Sequence, residues 1–290
     1  MTSPQGPSRR KTKPSAPTDS AGRHARGKAR RGRGGPSQSR GPDHRLFGLH
    51  AVREAWLNPE RVCHRLWATD AGLRSMTAAF ETAKTGRLRR PAPETVPRDR
   101  LDRLAGAGAV HQGVVLEADP LPPTDLEDVG RSAALRDQAI VVMLDQVTDP
   151  HNIGAILRSA AAFGALAIVV TARHTPDVTG TLAKSASGAV EHVPMVRVRN
   201  LAQALGRLKE HGFRAVGLAE EAEATLAEAV GPGGKTVIVL GAEGAGLRHL
   251  TRDTCDALAR LPTGGSIASL NVSNAAAVAL YELRRGSGPR

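Results

Sequence analysis

The stretch 139–163, which reads AIVVMLDQVTDPHNIGAILRSAAAF, joins a run of six apolar residues to a helical pattern through a short polar turn. The apolar run is typical of a strand that is buried on both faces. Asp149 and Pro150 are typical of an N-cap and the first residue of a helix. Because a buried strand followed directly by a helix is the unit of a parallel α/β sheet, this stretch predicts the fold of the C-terminal half.

The same alternation continues along the rest of the chain. It predicts further strands at 166–171, 213–218, 236–240 and 257–261 and further helices at 179–188, 201–211 and 274–283. Continuous apolar strands that alternate with helices indicate a mostly parallel sheet covered on both faces. The fold class is therefore α/β.

A smaller α/β unit of roughly 75 residues precedes this sheet. Its patterns predict helices at 46–57, 73–84 and 98–105 and strands at 62–68 and 113–116. Asn58-Pro59 ends the first helix, and three prolines within 119–123 indicate a stiff linker. We therefore divide the chain into a tail at 1–42, a small domain at 43–118, a linker at 119–136 and a large domain at 137–290.

Charge is concentrated in the tail. Residues 1–42 hold eleven Lys or Arg and one acidic residue, Asp19, whereas the whole chain has 40 basic and 28 acidic residues and a net charge of +12. The other 248 residues thus carry 29 basic and 27 acidic residues, a net charge of +2. The tail is too polar to bury a core, so we predict that it is disordered. Its charge suits the phosphates of a nucleic acid, the alternative being a solvated leader.

Several classes are disfavoured by composition. Aromatic residues make up 2% of the chain, so base stacking cannot be the main mode of nucleic-acid contact. Neither Cys63 nor Cys255 lies in a metal-binding or redox spacing, and we predict no metal. No apolar run reaches the ~18 residues of a membrane span, and the N-terminus lacks an apolar signal core. We therefore predict a cytoplasmic protein without membrane contact.

Three stretches carry candidate chemistry. In the first, Asn152 and Arg158 follow the strand at 139–144, nearly two helical turns apart, and we place them on roughly one side of the helix. Arg158 lies among apolar helix residues, where a cation needs a partner or a ligand. By itself, the pattern is equally typical of a capped helix with a surface arginine.

The second stretch is 239–247 (VLGAEGAGL), directly after another buried strand. Three glycines within 241–246 allow backbone amides to approach a ligand, although a plain tight turn explains them equally well. A P-loop is excluded because no Lys-Ser or Lys-Thr follows. The absence of a Gly-x-Gly-x-x-Gly pattern at the first strand argues against a dinucleotide-dependent oxidoreductase.

The third stretch is 261–274 (LPTGGSIASLNVSN), before the last helix. It holds four polar side chains within six residues, those of Ser269, Asn271, Ser273 and Asn274. A helix needs one N-cap, so the other polar groups exceed the capping requirement.

Together, the segments 152–158 (NIGAILR), 241–246 (GAEGAG) and 262–273 (PTGGSIASLNVS) resemble the three motifs of the SpoU (TrmH) family of RNA 2′-O-methyltransferases, which belongs to the SPOUT superfamily. Upstream, 47–52 (FGLHAV) and 109–114 (AVHQGV) resemble the RNA-binding domain of those members that methylate a guanosine in the peptidyl-transferase region of 23S ribosomal RNA. The resemblance covers about residues 45–285.

The resemblance implies a fold and a cofactor that the strand pattern does not give. It implies a trefoil knot in the large domain, S-adenosyl-L-methionine as methyl donor, and a homodimer with the active site near the subunit interface. Carried over by motif, Gly241, Leu261 and Leu270 bind the donor. The small domain binds the RNA substrate.

The resemblance also implies that Arg158 activates the ribose 2′-hydroxyl. Deprotonating a guanidinium at neutral pH costs about 7 kcal/mol, so an alternative is a cationic Arg158 that stabilises the developing alkoxide or binds the neighbouring phosphate. Asn152, Glu243, Ser269 and Asn271 would position the ribose, the phosphate and Arg158.

Two alternatives to a 23S rRNA guanosine methyltransferase stay open. One is the same chemistry on another rRNA nucleotide or on a transfer RNA, although the small domain argues against the transfer-RNA enzymes. The other is a non-catalytic RNA-binding ribosome assembly factor, which has no need for Arg158, Glu243 and Asn271 together.

Overall fold

The computed structural model describes residues 44–173, 175–178, 180–230, 233–265 and 269–285. The tail predicted at 1–42 therefore lies outside the described residues. These described residues form a single compact unit that contains two sheets.

The first sheet has four strands in the order β1-β4-β2-β3, with β4 antiparallel to both of its neighbours and β2 parallel to β3. Its strands are β1 (Arg45–Phe47), β2 (Cys63–Ala68), β3 (Glu94–Thr95) and β4 (Val114–Ala118). Its helices are α1 (Leu49–Leu57), α2 (Asp70–Thr85) and α3 (Arg98–Ala105). Buried residues of α1 and α2 pack on one face, and Leu101 of α3 packs on the other.

The predicted helix at 46–57 is wrong at its start. Leu46 lies in β1, and the helix begins at Leu49 after Gly48, whose φ of 92° turns the chain. Leu46 and Phe47 point into different cores, as successive strand residues do. A three-residue strand is too short for that alternation to be visible in the sequence.

The second sheet has six strands, all parallel, in the order β10-β8-β9-β5-β6-β7. They are β5 (Ala139–Asp145), β6 (Ala167–Thr171), β7 (Met195–Val198), β8 (Arg214–Leu218), β9 (Lys235–Gly241) and β10 (Ala257–Ala259). The predicted parallel sheet is confirmed. β7 was not predicted, because its four residues include a polar Arg197 and are only partly buried.

Helices cover both faces of this sheet. They are α4 (Leu126–Ala134), α5 (Pro150–Ala162), α6 (Gly180–Ser185), α7 (Leu201–Glu210), α8 (Leu226–Val230), α9 (His249–Thr254) and α10 (Val272–Arg285). Along β5, Ile140, Val142 and Leu144 join the core beneath α5 and α10, whereas Val141 and Met143 join the core beneath α4 and α7.

The stretch 119–136, interpreted as a linker, contains α4. Asp125 and Asp128 form a capping box at its start, and Leu126, Val129 and Ala133 are buried in the core of the second sheet. The neighbouring prolines concealed this helix in the sequence. The implied trefoil knot stays a prediction, because residues 266–268 of the final loop lie outside the described residues.

The two sheets are joined by a buried ion pair. Arg61, with a side chain 5% exposed, lies 2.7 Å from Glu191, with a side chain 1% exposed. Arg61 Nη1 also donates to the Asp119 carbonyl at 2.6 Å, and Asn58 Nδ2 donates to Glu191 at 2.9 Å. A buried pair with its remaining groups hydrogen-bonded fixes the geometry on each side. The small N-terminal layer is thus held against the large sheet at this point.

Candidate active site

A cavity of about 840 Å³ opens at the carboxyl ends of three neighbouring strands, β8, β9 and β10. Leu218, Leu240 and Leu261, which lie at or near those ends, form part of its wall. Ligands of open α/β sheets bind outside the carboxyl ends of strands, and this volume suits a small-molecule cofactor.

The glycine-rich turn after β9 forms one side of the cavity. A Cβ placed on Gly241 would lie 2.2 Å from the carbonyl carbon of Gly246, so a larger residue does not fit. The turn closes through a hydrogen bond from Gly246 N to the Ala242 carbonyl at 2.9 Å, and Gly244 and Gly246 have φ of 78° and 64°. These conformations favour glycine. The turn therefore brings bare backbone to the cavity.

Asp145 and Arg248 anchor this turn to the neighbouring strand. Asp145 ends β5, directly beside Gly241 in the sheet, and is fully buried. Its carboxylate accepts from Arg248 Nε at 2.6 Å and from Arg248 N at 3.0 Å. The sequence analysis missed this pair. The only sequence signal was an acidic residue at the end of an apolar strand.

The third stretch contributes both a wall and a helix cap. Ser269 and Leu270 line the cavity. Asn271 instead caps α10, since its Oδ1 accepts from Ser273 N at 2.9 Å and from Ser273 Oγ at 2.7 Å. The capping alternative thus holds for Asn271. Residues 266–268 of the same stretch lie outside the described residues.

Asn152 and Arg158 lie on α5 and are absent from the lining of the cavity as described. Asn152 is half-buried, and Arg158 is exposed. Six positions on an α-helix leave two side chains about 120° apart, so the two residues do not share one side as the sequence analysis placed them. Arg158 makes no hydrogen bond or ion pair with any residue in the part of the chain that the structure describes.

The predicted site residues therefore fall into two groups. The cavity brings together Gly241, Glu243, Leu261, Ser269 and Leu270. It does not include Asn152, Arg158 or Asn271 within a single chain.

The cavity combines apolar walls with acidic groups. Glu220, Glu221 and Glu243 line it, together with Arg252 and Arg260. The hydrogen bond from Arg252 holds the pKa of the Glu221 carboxyl below its usual range, so Glu221 is ionised at neutral pH. Leucine side chains suit an adenine ring, and carboxylates suit a cationic sulfonium. The residues present thus fit S-adenosylmethionine.

Metal and thiol chemistry find little support in the described residues. These contain no group of three or more His, Cys, Asp or Glu side chains that could hold a metal ion. Burial raises the pKa of Cys63, and it raises the pKa of Cys255 to about 11, so neither is a ready nucleophile. None of the described helices is long and apolar enough to cross a membrane.

The parallel sheet and its strand-end cavity define an α/β domain that binds a small-molecule cofactor. The SpoU rRNA Methylase family model matches residues 139–281, and the model for RNA 2′-O ribose methyltransferase substrate binding matches residues 45–124. The chain belongs to the SpoU rRNA methylase family, as its motifs predicted.

Relatives of known name match almost their entire length. The chain is 41% identical to the 23S rRNA (guanosine-2′-O-)-methyltransferase RlmB of Pseudomonas aeruginosa, over 84% of this chain and 97% of the relative. It is 44% identical to RlmB of Salmonella typhi, over 83% of this chain and 97% of the relative.

A solved structure supports the fold. The SpoU methyltransferase AviRb from Streptomyces viridochromogenes matches with a TM-score of 0.66 and 26% identity, over 84% of this chain and 89% of that chain. A further AviRb structure was determined in complex with the cofactor AdoMet.

Proposed function

We propose that this protein transfers a methyl group from S-adenosyl-L-methionine to the 2′-hydroxyl of a guanosine in the peptidyl-transferase region of 23S rRNA. Membership of the SpoU family supports the reaction, and the similarity to RlmB over both sheets supports the substrate. The observation that carries the proposal is the single cavity that gathers Gly241, Glu243, Leu261, Ser269 and Leu270.

Gly241, Leu261 and Leu270 would hold the cofactor, which when bound supplies an electrophilic methyl group on a sulfonium. The Gly241 turn would present backbone groups, and the two leucines would contact the apolar parts of the cofactor. Glu243 and Ser269, on the same wall, would orient the ribose.

Arg158 would act as a cation. A positive charge beside the 2′-oxygen stabilises the alkoxide that develops during transfer. Asn152, one and two-thirds turns before it on α5, would position the ribose or its phosphate. Asn271 would act through its cap of α10, which keeps Leu270 at the cavity.

We propose that the active site is completed in a homodimer. Arg158 is exposed on α5, away from the cavity of its own chain. Val278 and Tyr281 are 46% and 55% exposed, three positions apart on α10, which packs on α5. Exposed apolar residues on one helix face favour an interface. A partner would bring its own Arg158 towards this cavity.

We also propose the division into a basic tail, an RNA-binding domain at 43–118, a linker and a methyltransferase domain at 137–290. Since α4 packs on the second sheet, the linker itself would be only the short segment that joins β4 to α4. The tail would add sequence-independent affinity for RNA, and the protein would act in the cytoplasm, where rRNA is assembled.

The test is methyl transfer from labelled S-adenosylmethionine to three purified RNAs: unmodified 23S rRNA, 16S rRNA and transfer RNA. Transfer to 23S rRNA alone, mapped to one guanosine 2′-oxygen, is the expected result. Transfer to another RNA would favour the alternative substrate. Tight RNA binding without transfer to any of the three would overturn the enzyme and favour an assembly factor.

A further inference from the structure

Two segments of the small layer meet at α6 of the large sheet. Gln112, with φ of 54°, accepts a hydrogen bond on its Oε1 from Leu49 N at 3.0 Å and so caps α1. This carbonyl is therefore engaged, and the Gln112 amide N–H groups are left as donors. Gly48 precedes Leu49, and the side of Gly48 that a Cβ would occupy contacts both Gln112 and a residue of α6.

Lys184 of α6 lies against Gly48. A Cβ on Gly48 would lie 3.2 Å from Lys184 Cγ and 3.8 Å from Lys184 Cδ, so the lysine stem packs on bare backbone. The Lys184 ammonium has no hydrogen bond or ion pair with the residues that the structure describes. A packed stem with an unpaired ammonium keeps the charge in solvent, where an anionic ligand can reach it.

Ser185, the residue after Lys184, contacts α5, the helix that carries Asn152 and Arg158. Ser185 Oγ lies 3.2 Å from His151 Nδ1, and a Cβ on Gly154 would lie 2.3 Å from Ser185 Cβ. His151 precedes Asn152 in the first turn of α5, where the helix dipole favours negative charge. Gln112 and Lys184 thus lie on either side of Gly48, and Ser185 and His151, which share one hydrogen bond, follow at the start of α5. We call these four residues the interdomain seam.

Nearby carboxylates are engaged elsewhere. Glu54, beside Gly188, pairs with His192 at 3.0 Å and with Arg53 at 3.1 Å. Asp149 caps α5 by accepting from His151 N at 2.9 Å. The seam therefore offers donors and a cation, and the carboxylates of Glu54 and Asp149 near it already hold hydrogen bonds, which suits a polyanion.

We propose that the interdomain seam binds the RNA backbone between the two layers, with the Lys184 ammonium on a phosphate close to the target ribose. This inference rests on the proposed function, because it takes RNA as the ligand. The buried Arg61–Glu191 pair keeps the two sides of the seam in fixed register. RNA bound by the small layer would then pass Lys184 and reach α5, which carries Asn152 and Arg158.

The test is the substitution Lys184→Met, which keeps the stem against Gly48 and removes the charge. We expect the KM for 23S rRNA to rise about 5- to 10-fold at 50 mM salt, with kcat within twofold of wild type. The slope of log Kd against log salt should decrease in magnitude by about 0.7 to 0.9, the change for one lost phosphate contact. Lys184→Arg should restore both values.

Lys235→Met is the matched control. Lys235 begins β9, at the opposite end of the strand from Gly241. Removal of its charge should leave KM and the salt slope unchanged. An active Lys184→Met enzyme with wild-type KM and salt slope would overturn the seam and leave the proposed function standing. Absence of methyl transfer by the wild-type protein would refute the proposed function itself, whereas RNA binding by the same variants would still report on the seam.

Discussion

The two halves of the candidate site are built differently. The donor half consists of the cavity at the ends of β8, β9 and β10, whose described lining comes from one chain. The acceptor half consists of Asn152 and Arg158 on α5 and of the interdomain seam. Its polar groups are exposed or half-buried, and Arg158 makes no ion pair within the described residues.

The difference reflects what each half would bind. A small cofactor fits inside a cavity whose backbone is fixed by Gly241 and by the Asp145–Arg248 pair. A large RNA needs groups on an open surface, whose final positions depend on the partner chain and on the substrate. Variants of the two halves should therefore fail in different ways.

The largest effect is expected for Arg158→Ala. Loss of the cation beside the reacting oxygen should lower kcat about 10³-fold or more. Cofactor affinity, measured by isothermal titration calorimetry with S-adenosylmethionine, should stay within twofold of wild type, because Arg158 lies outside the cavity. Full activity in this variant would remove Arg158 from the acceptor half.

Gly241→Ala should damage the donor half. The added Cβ meets the backbone of Gly246, so the turn must shift and cofactor affinity should fall about 100-fold, with RNA affinity retained. Gly206→Ala is the control, because nothing lies within 4 Å of a Cβ at that helical position. Equal cofactor affinity in the two variants would show that the turn does not shape the cavity.

Arg248→Ala tests the anchor of the donor half. It leaves the buried Asp145 carboxylate with only the backbone N–H of residue 248, and we expect a loss of about 3 kcal/mol in the free energy of unfolding in urea. Arg103→Ala, in an exposed pair with Asp99, should cost under about 0.5 kcal/mol. Similar costs for both variants would contradict a special role for the ion pair that Arg248 makes with the buried Asp145.

A smaller effect is expected from deletion of residues 2–42. Removal of eleven basic residues should weaken RNA binding about 10-fold at 50 mM salt and very little at 500 mM, because the lost contacts are electrostatic. The kcat at saturating RNA should be unchanged. Filter binding across a salt series measures this, and a loss that is independent of salt would point to a folded role for the tail.

Long apolar strands and their helices could be predicted from the sequence, since β5, β6, β8 and β9 are buried on both faces. Several short elements could not. β1 and β3 have three and two residues, too few for a period to be visible, and α4 follows a proline-rich segment.

The site was predictable as motifs but not as geometry. Gly241, Leu261 and Leu270 do line one cavity, although their contacts with a cofactor stay predictions. The Asp145–Arg248 hydrogen bond joins residues 103 positions apart, and no local sequence pattern predicts such a contact. The exposure of Arg158 likewise depends on packing, which its sequence neighbours do not specify.

The most direct test of the account mixes the two defective halves. Arg158→Ala and Gly241→Ala chains are unfolded, mixed in equal amounts and refolded. Methyl transfer to 23S rRNA is then assayed at a cofactor concentration that saturates wild type but leaves each variant alone nearly inactive. If Arg158 completes the partner's cavity, half of the dimers regain one intact site, and activity should reach about a quarter of wild type in a two-fold symmetric dimer. No recovery, with heterodimers verified by native mass spectrometry, would contradict an active site shared between chains.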